Sequence, residues 1–131
     1  MANTPAKWPP GSLNFRIFVH YRNRYSTHRR YVMGMVIFTP AIISQYADEH
    51  PDVHDELLRW VRIVEAANWS SLTDIKQDFN SVDYVKNDRY VFNIKGNQYR
   101  LIAMIHFKVR SLYVRFIGTH KEYDKVDAAT V

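Results

Sequence analysis

Cysteine is missing from all 131 residues. Disulfide frameworks, thiolate nucleophiles and cysteine zinc sites are therefore excluded together, and the composition suits a reducing, cytoplasmic setting. Glycine is scarce as well, at four residues, which leaves little room for a phosphate-cradling loop. No P-loop, dinucleotide glycine pattern or GxSxG elbow occurs. Long oily runs are also lacking: no stretch approaches the roughly 20 apolar residues that a membrane-spanning helix needs, so no membrane association is expected.

Acidic residues are missing from one region only. Residues 1–34 hold Lys7, Arg16, Arg22, Arg24, Arg29 and Arg30 without a single Asp or Glu, whereas the other 97 residues hold 12 basic and 13 acidic side chains, a net −1. The basic character of the chain belongs to its leading segment, so nucleic-acid binding elsewhere needs local clustering of cations. That segment also carries three of the five prolines. It reads as an arm for polyanions, a transit peptide or, the favoured reading, a disordered or misplaced start with Met33 or Met35 as the true first residue. The domain proper is expected over 35–131.

What remains is ample for one packed domain: 47% of the chain is hydrophobic and 15% aromatic. Val36 to Phe38 predict a short strand. Thr39 before Pro40 signals a helix start, and Ile42, Ile43 and Tyr46 give that helix an apolar side. Pro51 ends it and opens a second helix, in which Val53, Leu57, Trp60, Val61 and Val64 recur at helical spacing. Ser71 and Asp74 resemble a capping box for a short helical turn reaching Phe79.

Alternation then changes to period two. Tyr90, Phe92 and Ile94 form one strand, Lys95-Gly96-Asn97 a turn, and Tyr99, Leu101, Ala103, Ile105 and Phe107 a second strand. A loop at 108–111 leads to a third, with Leu112, Val114 and Phe116 toward the core and Gly118 at its end before a polar tail. Because a one-residue slip exchanges the two faces, parity predicts Phe92 opposite Leu101, Ile94 opposite Tyr99 and Asn93 opposite Arg100. For the second hairpin it predicts Ile105 opposite Val114 and Arg100 opposite Thr119. The face away from the core then carries Val91, Ile102, Met104 and Ile117, which predicts an apolar cover. Arg89, Asn93, Gln98, Arg100 and His120 gather toward one end, joined by Lys95, Lys121 and Tyr123. Cations, amides and an imidazole suit an anionic ligand such as phosphate, although solvent-facing strand residues have the same spacing.

Other clusters carry less. His50 and His54 are four apart but flank Pro51 and lack further ligands, so neither a metal nor a cofactor is expected. Trp60 lies on an apolar helix face and reads as core rather than as a base-stacking platform.

The stretch YVKNDRYVFNIKGN from Tyr84 to Asn97, continuing QYRLIAMIHF and then VRFIGTHKEYDKVDAATV, resembles the HigB toxins of type II toxin-antitoxin modules, within the RelE-like ribonuclease superfamily. The opening MVIFTPAIISQYADEHPD is similar to the same family, and the likeness covers residues 35–131. The resemblance implies an α+β RelE-like microbial RNase fold, with a short N-terminal strand and two main helices packed on a compact, mostly antiparallel sheet. It implies an mRNA endonuclease, commonly ribosome-dependent, held in check by a HigA-type helix-turn-helix antitoxin through which DNA is met only indirectly.

On that resemblance Arg100, His120 and Tyr123 are the expected catalytic residues. Arg89, Asn93, Lys95, Asn97, Arg115 and Lys121 are the expected RNA-binding residues. Metal-independent cleavage needs a deprotonated 2′-hydroxyl, a stabilised pentacovalent phosphate and a protonated leaving oxygen. Arginine suits the second task, and histidine suits acid–base transfer. The near-neutral charge of 35–131 favours a ribosome that presents the message. A noncatalytic RNA- or ribosome-binding module is the main alternative, and a purely structural partner of an antitoxin is a third.

Overall fold

The computed structural model describes residues 34–131, and the expectations for the leading segment fall on 1–33, outside the described residues. Gly34 lies close to the backbone of Glu65: an added Cβ would sit 1.9 Å from the Glu65 carbonyl oxygen. Strand β1 (Val36–Phe38) follows, then helices α1 (Pro40–Glu49), α2 (His54–Ala66) and α3 (Leu72–Asp78). Four further strands, β2 (Val82–Tyr84), β3 (Arg89–Ile94), β4 (Tyr99–His106) and β5 (Ser111–Thr119), precede a single-turn helix α4 (His120–Tyr123). The sheet order is β1-β5-β4-β3-β2, with β1 parallel to β5 and every other pair antiparallel. This is the expected α+β architecture, with one strand more than the pattern announced: β2 has three residues, too few to display alternation.

The helix starts follow the proline and serine signals with local adjustments. Pro40 occupies the first turn of α1, but Thr39 adopts a left-handed φ of 59° and makes no side-chain cap; its hydroxyl donates to the Phe38 carbonyl. Pro51 opens a short 3-10 turn, and the α-helix begins only at His54. Ser71 caps α3 by accepting from the Asp74 N–H at 3.5 Å. The Asp74 carboxylate turns instead to the Ser70 N–H and hydroxyl, both at 2.8 Å, and these donors hold its pKa below the usual carboxylate value.

The main core lies between the helices and one sheet face. Leu57, Trp60, Val61 and Val64 of α2 meet Phe92, Leu101, Ala103 and Leu112. Trp60 and Phe79 stand edge-on to Phe92 with ring centroids 5.4 and 5.3 Å away, the arrangement that aromatic quadrupoles favour. Trp69 belongs to the same cluster, and its indole N–H donates to Asp78 at 2.8 Å.

The β3–β4 register is the predicted one, with Phe92 opposite Leu101, Asn93 opposite Arg100 and Ile94 opposite Tyr99. The β4–β5 register is not. Ile105 pairs with Leu112 rather than Val114, and Ala103 pairs with Val114. A bulge between Ile102 and Ala103 then shifts the pairing, so that Arg100 faces Gly118 and Tyr99 faces Thr119. An extra residue in one strand inverts parity beyond it. Ile117 therefore joins the main core, while Phe116 moves to the opposite face. That second face does have its apolar cover. The chain after β5 folds back as α4 and a tail whose Tyr123, Val126, Ala128 and Val131 pack on Val91, Ile102 and Phe116.

Candidate active site

The expected site residues separate into three groups. The first surrounds Arg100, at the start of β4 between Asn93 and Gly118. Its Nε donates to Asn93 Oδ1, and its Nη2 donates to Asn97 Oδ1 at 3.2 Å. The Tyr123 ring lies over the guanidinium, 5.1 Å from carbon to centroid. Asn93 is held in turn by Ser81, whose hydroxyl accepts from the Asn93 amide and whose carbonyl accepts the Asn93 N–H at 3.3 Å. The remaining guanidinium nitrogen, Nη1, is buried and has no acceptor among the described residues. A buried donor left unmade costs about 1–3 kcal/mol, and more on a charged group. The arginine is thus aimed by side chains while one of its donors stays unused.

Helix α4 brings the other two catalytic candidates to this edge. Thr119 and Glu122 form a reciprocal capping box: the Glu122 N–H donates to Thr119 Oγ1 at 3.2 Å, and the Thr119 N–H to Glu122 Oε1 at 2.9 Å. Gly118 permits this approach, since a Cβ there would lie 2.5 Å from the Phe116 ring and 2.8 Å from Glu122 Oε1. The His120 N–H donates to the Gln98 carbonyl at 3.1 Å, which ties α4 to the β3–β4 turn. The His120 ring is 47% exposed and places Nδ1 3.5 Å from Asp124 Oδ2. An acidic partner on one ring nitrogen leaves the other for proton transfer. Lys121, beside it, is exposed and has no ion pair among the described residues.

Lys95 belongs to a second group, on the helix side of the same edge. It lies in the turn with a left-handed φ of 55° and sets Nζ 3.6 Å from Asp52 Oδ2. The same oxygen accepts from the Tyr99 hydroxyl at 2.6 Å. That hydrogen bond holds Asp52 below the usual carboxylate pKa and pushes Tyr99 up to about 12, with burial adding to the rise. Tyr46 is also raised to about 12, chiefly by burial and then by the charges of Glu122, Tyr99 and Asp52. His50 stacks on Tyr46 with ring centroids 3.9 Å apart.

Arg89 and Arg115 form the third group. Arg89 pairs with Met104, four residues along β4 from Arg100, or roughly 13 Å at strand spacing. Arg89 Nη2 and Nε donate to the Val131 main-chain oxygen at 2.6 and 3.2 Å, and Arg115 Nε donates to the same oxygen at 3.2 Å. The geometry gathers Arg100, Asn93, Asn97, His120 and Tyr123, with Lys121 alongside, and sets Lys95, Arg89 and Arg115 apart.

Ser81, Asp124 and Glu122 enter the neighbourhood unannounced. For Ser81 no sequence signal exists, because its contact depends on the three-residue β2. For the others one does: Thr119 and Glu122 have capping-box spacing, and His120 and Asp124 are four apart, as helix neighbours are.

A five-stranded mixed sheet, with helices on one face and an arginine, amide and imidazole edge on the other, defines a small RelE-like α+β domain. The family model HigB_toxin, the RelE-like toxic component of a toxin-antitoxin system, matches residues 53–126; the chain belongs to that family. It is 32% identical over 92 residues to the mRNA interferase toxin HigB of Escherichia coli strain K12, covering 69% of this chain and 88% of that protein. A Shigella flexneri mRNA interferase HigB matches equally well. The mRNA interferase HigB of E. coli O6:H1 is 30% identical over 94 residues, covering 70% and 91% of the two chains.

Proposed function

We propose that the chain is an endoribonuclease toxin that cleaves mRNA at the Arg100 edge, without a metal, by attack of the 2′-hydroxyl on the adjacent phosphate. The observation that carries this reading is the oriented guanidinium of Arg100, with Nη1 buried and unpaired among the described residues. A phosphoryl oxygen supplies the missing acceptor, and the bond strengthens as the pentacovalent phosphate gains negative charge. Because the Tyr123 ring covers the guanidinium, the phosphate reaches Nη1 when that ring swings aside, which frees it to stack on a base. His120, exposed and backed by Asp124, exchanges protons with the 2′-hydroxyl and the leaving 5′-oxygen. Asn93 and Asn97 aim the arginine, and Lys121 adds positive charge beside His120, whereas Lys95 is paired with Asp52 on the helix side.

Family membership fits an antitoxin partner, here a HigA-type helix-turn-helix protein that carries the complex to DNA. The ribosome is the proposed platform, because residues 35–131, with 12 basic and 13 acidic side chains, attract naked RNA weakly. The cytoplasm, where translated messages lie, is the proposed location; among the described residues no helix is long and apolar enough to cross a membrane. The test is induction of the full chain and of Arg100→Ala in a bacterial translation extract, with mRNA 5′ ends mapped by primer extension. Cuts within translated codons from the parent chain alone are the expected result. Intact messages with the folded protein bound to ribosomes would replace the nuclease reading with a noncatalytic binding module.

A further inference from the structure

We propose that Arg89 and Arg115 are positioning residues: by fastening the folded-back tail they hold the backbone of α4, and with it His120, at the Arg100 edge, while the Tyr123 side chain stays free to turn. This rests on the catalytic reading of the Arg100 edge. Helix α4 is four residues long, far below the length at which a helix sustains itself in water. Its place is therefore set from both ends. One end is fixed by the Thr119–Glu122 box and the His120-to-Gln98 bond. The other end continues as the tail, which crosses the sheet face and terminates its contacts at the two arginines.

Three donors, two from Arg89 and one from Arg115, converge on the Val131 main-chain oxygen at 2.6 to 3.2 Å. The third Arg89 nitrogen, Nη1, donates to the Asn87 carbonyl at 3.0 Å, while the Asn87 amide donates to Ala129 at 3.0 Å. Asn87 and its neighbour Asp88 both hold left-handed φ values, 54° and 62°, a turn conformation that Asn and Asp accommodate more readily than other residues with a Cβ, and the bonds that Asn87 makes to Ala129 and Arg89 fix that turn in place. Between the two fixed ends, Ala128 and Val131 sit on Val91 and Ile102. Arg89 thus has every guanidinium nitrogen engaged in tail and turn contacts, a poor arrangement for gripping a phosphate and a good one for a clasp. Loosening the clasp frees the tail, and a shift of about 1 Å in reacting groups can cost on the order of 100-fold in rate.

The experiment compares the full chain with the double variant Arg89→Ala/Arg115→Ala, and with Ala128→Asn, which disturbs the tail from its apolar side and removes no cation. Each is assayed in the translation extract for maximal cleavage rate and half-saturating toxin concentration, and separately for amide hydrogen exchange at 120–131. Both variants are expected to exchange faster at 120–123 and to lose at least about tenfold in maximal rate, with half-saturation unchanged. If the double variant instead raises half-saturation and flattens the salt dependence, by roughly 0.7 per lost phosphate contact, while Ala128→Asn behaves like the parent, the two arginines are RNA contacts and the proposal fails. If the double variant does not fold, Arg115→Ala alone and Ala128→Asn give the same comparison. Unchanged exchange at 120–123 also overturns the proposal and requires no activity, whereas an active Arg100→Ala chain would remove the catalytic reading without touching the exchange result.

Discussion

The two faces of the sheet are built by opposite rules. The helix face is buried and aromatic, with Trp60, Trp69 and Phe79 each packed on Phe92. The other face is covered only across its middle, by a tail held by a few apolar side chains and hydrogen bonds to main-chain oxygens. At its end it leaves one cationic donor, Arg100 Nη1, oriented by side chains but without an acceptor among the described residues. The first face stores stability, while the second keeps a charged donor ready at the expense of stability.

The largest test of that division is Trp60→Ala, which empties the aromatic core. A loss of about 3–5 kcal/mol is expected, read as the shift of a urea unfolding curve, and activity should fall only as the folded fraction falls. Arg100→Ala makes the converse prediction. Cleavage should drop by about 100-fold or more, as on removal of an oxyanion donor, while the unfolding curve moves by less than about 1 kcal/mol because a buried unpaired donor is deleted. A large destabilisation in Arg100→Ala would break the comparison.

Ser81→Ala probes the aiming of that arginine at one remove. Losing one hydrogen bond worth about 1 kcal/mol predicts about a fivefold slower maximal rate, partly restored by Ser81→Thr, which returns the hydroxyl. Equal rates in both variants and the parent would show that the Asn97 bond and Tyr123 suffice to hold the guanidinium.

The smallest effect is a pH dependence at the edge where the faces meet. Tyr46 and Tyr99 are both raised from 10.0 to about 12, so the folded state holds these protons more tightly than the unfolded chain. Their contribution is complete below pH 10 and is lost as pH rises toward 12. Asp52 is lowered from 3.8 by the Tyr99 hydrogen bond; its contribution is present above that value and fades as pH falls through the lowered one. Asp52→Asn should bring Tyr99 back toward its ordinary value and narrow the alkaline loss, as followed by tyrosinate absorbance and unfolding curves at rising pH.

Legibility differed between elements for physical reasons. Helix α2 was plain because thirteen residues give several turns in which apolar spacing repeats. The β3–β4 hairpin was plain because both strands alternate and its turn is short, which fixes the register and with it the Asn93–Arg100 neighbourhood. The second hairpin misled for two reasons: its turn closes one residue early, with His106 paired to Ser111 so that the loop is 107–110 rather than 108–111, and the bulge between Ile102 and Ala103 then changes parity midway, which leaves no mark in a run of apolar residues. The candidate site was legible as a set of residues at one end of the sheet. Which of them met was not, since Lys95 goes to Asp52 on the helix side and Arg89 and Arg115 to Val131.

Local pattern determined the core helices and the first hairpin with its Asn93–Arg100 pair, because side-chain periodicity is a property of neighbouring residues, while the α+β RelE-like fold class and the set of Arg100, His120 and Tyr123 followed from the family resemblance. Tertiary structure alone decided the rest: the exchange of Phe116 and Ile117 between faces, the tail drawn across the open side, and the unpaired Nη1 of Arg100. Each of these depends on contacts between segments far apart in the chain, and such contacts form only when the sheet has closed and the tail has come back to meet it.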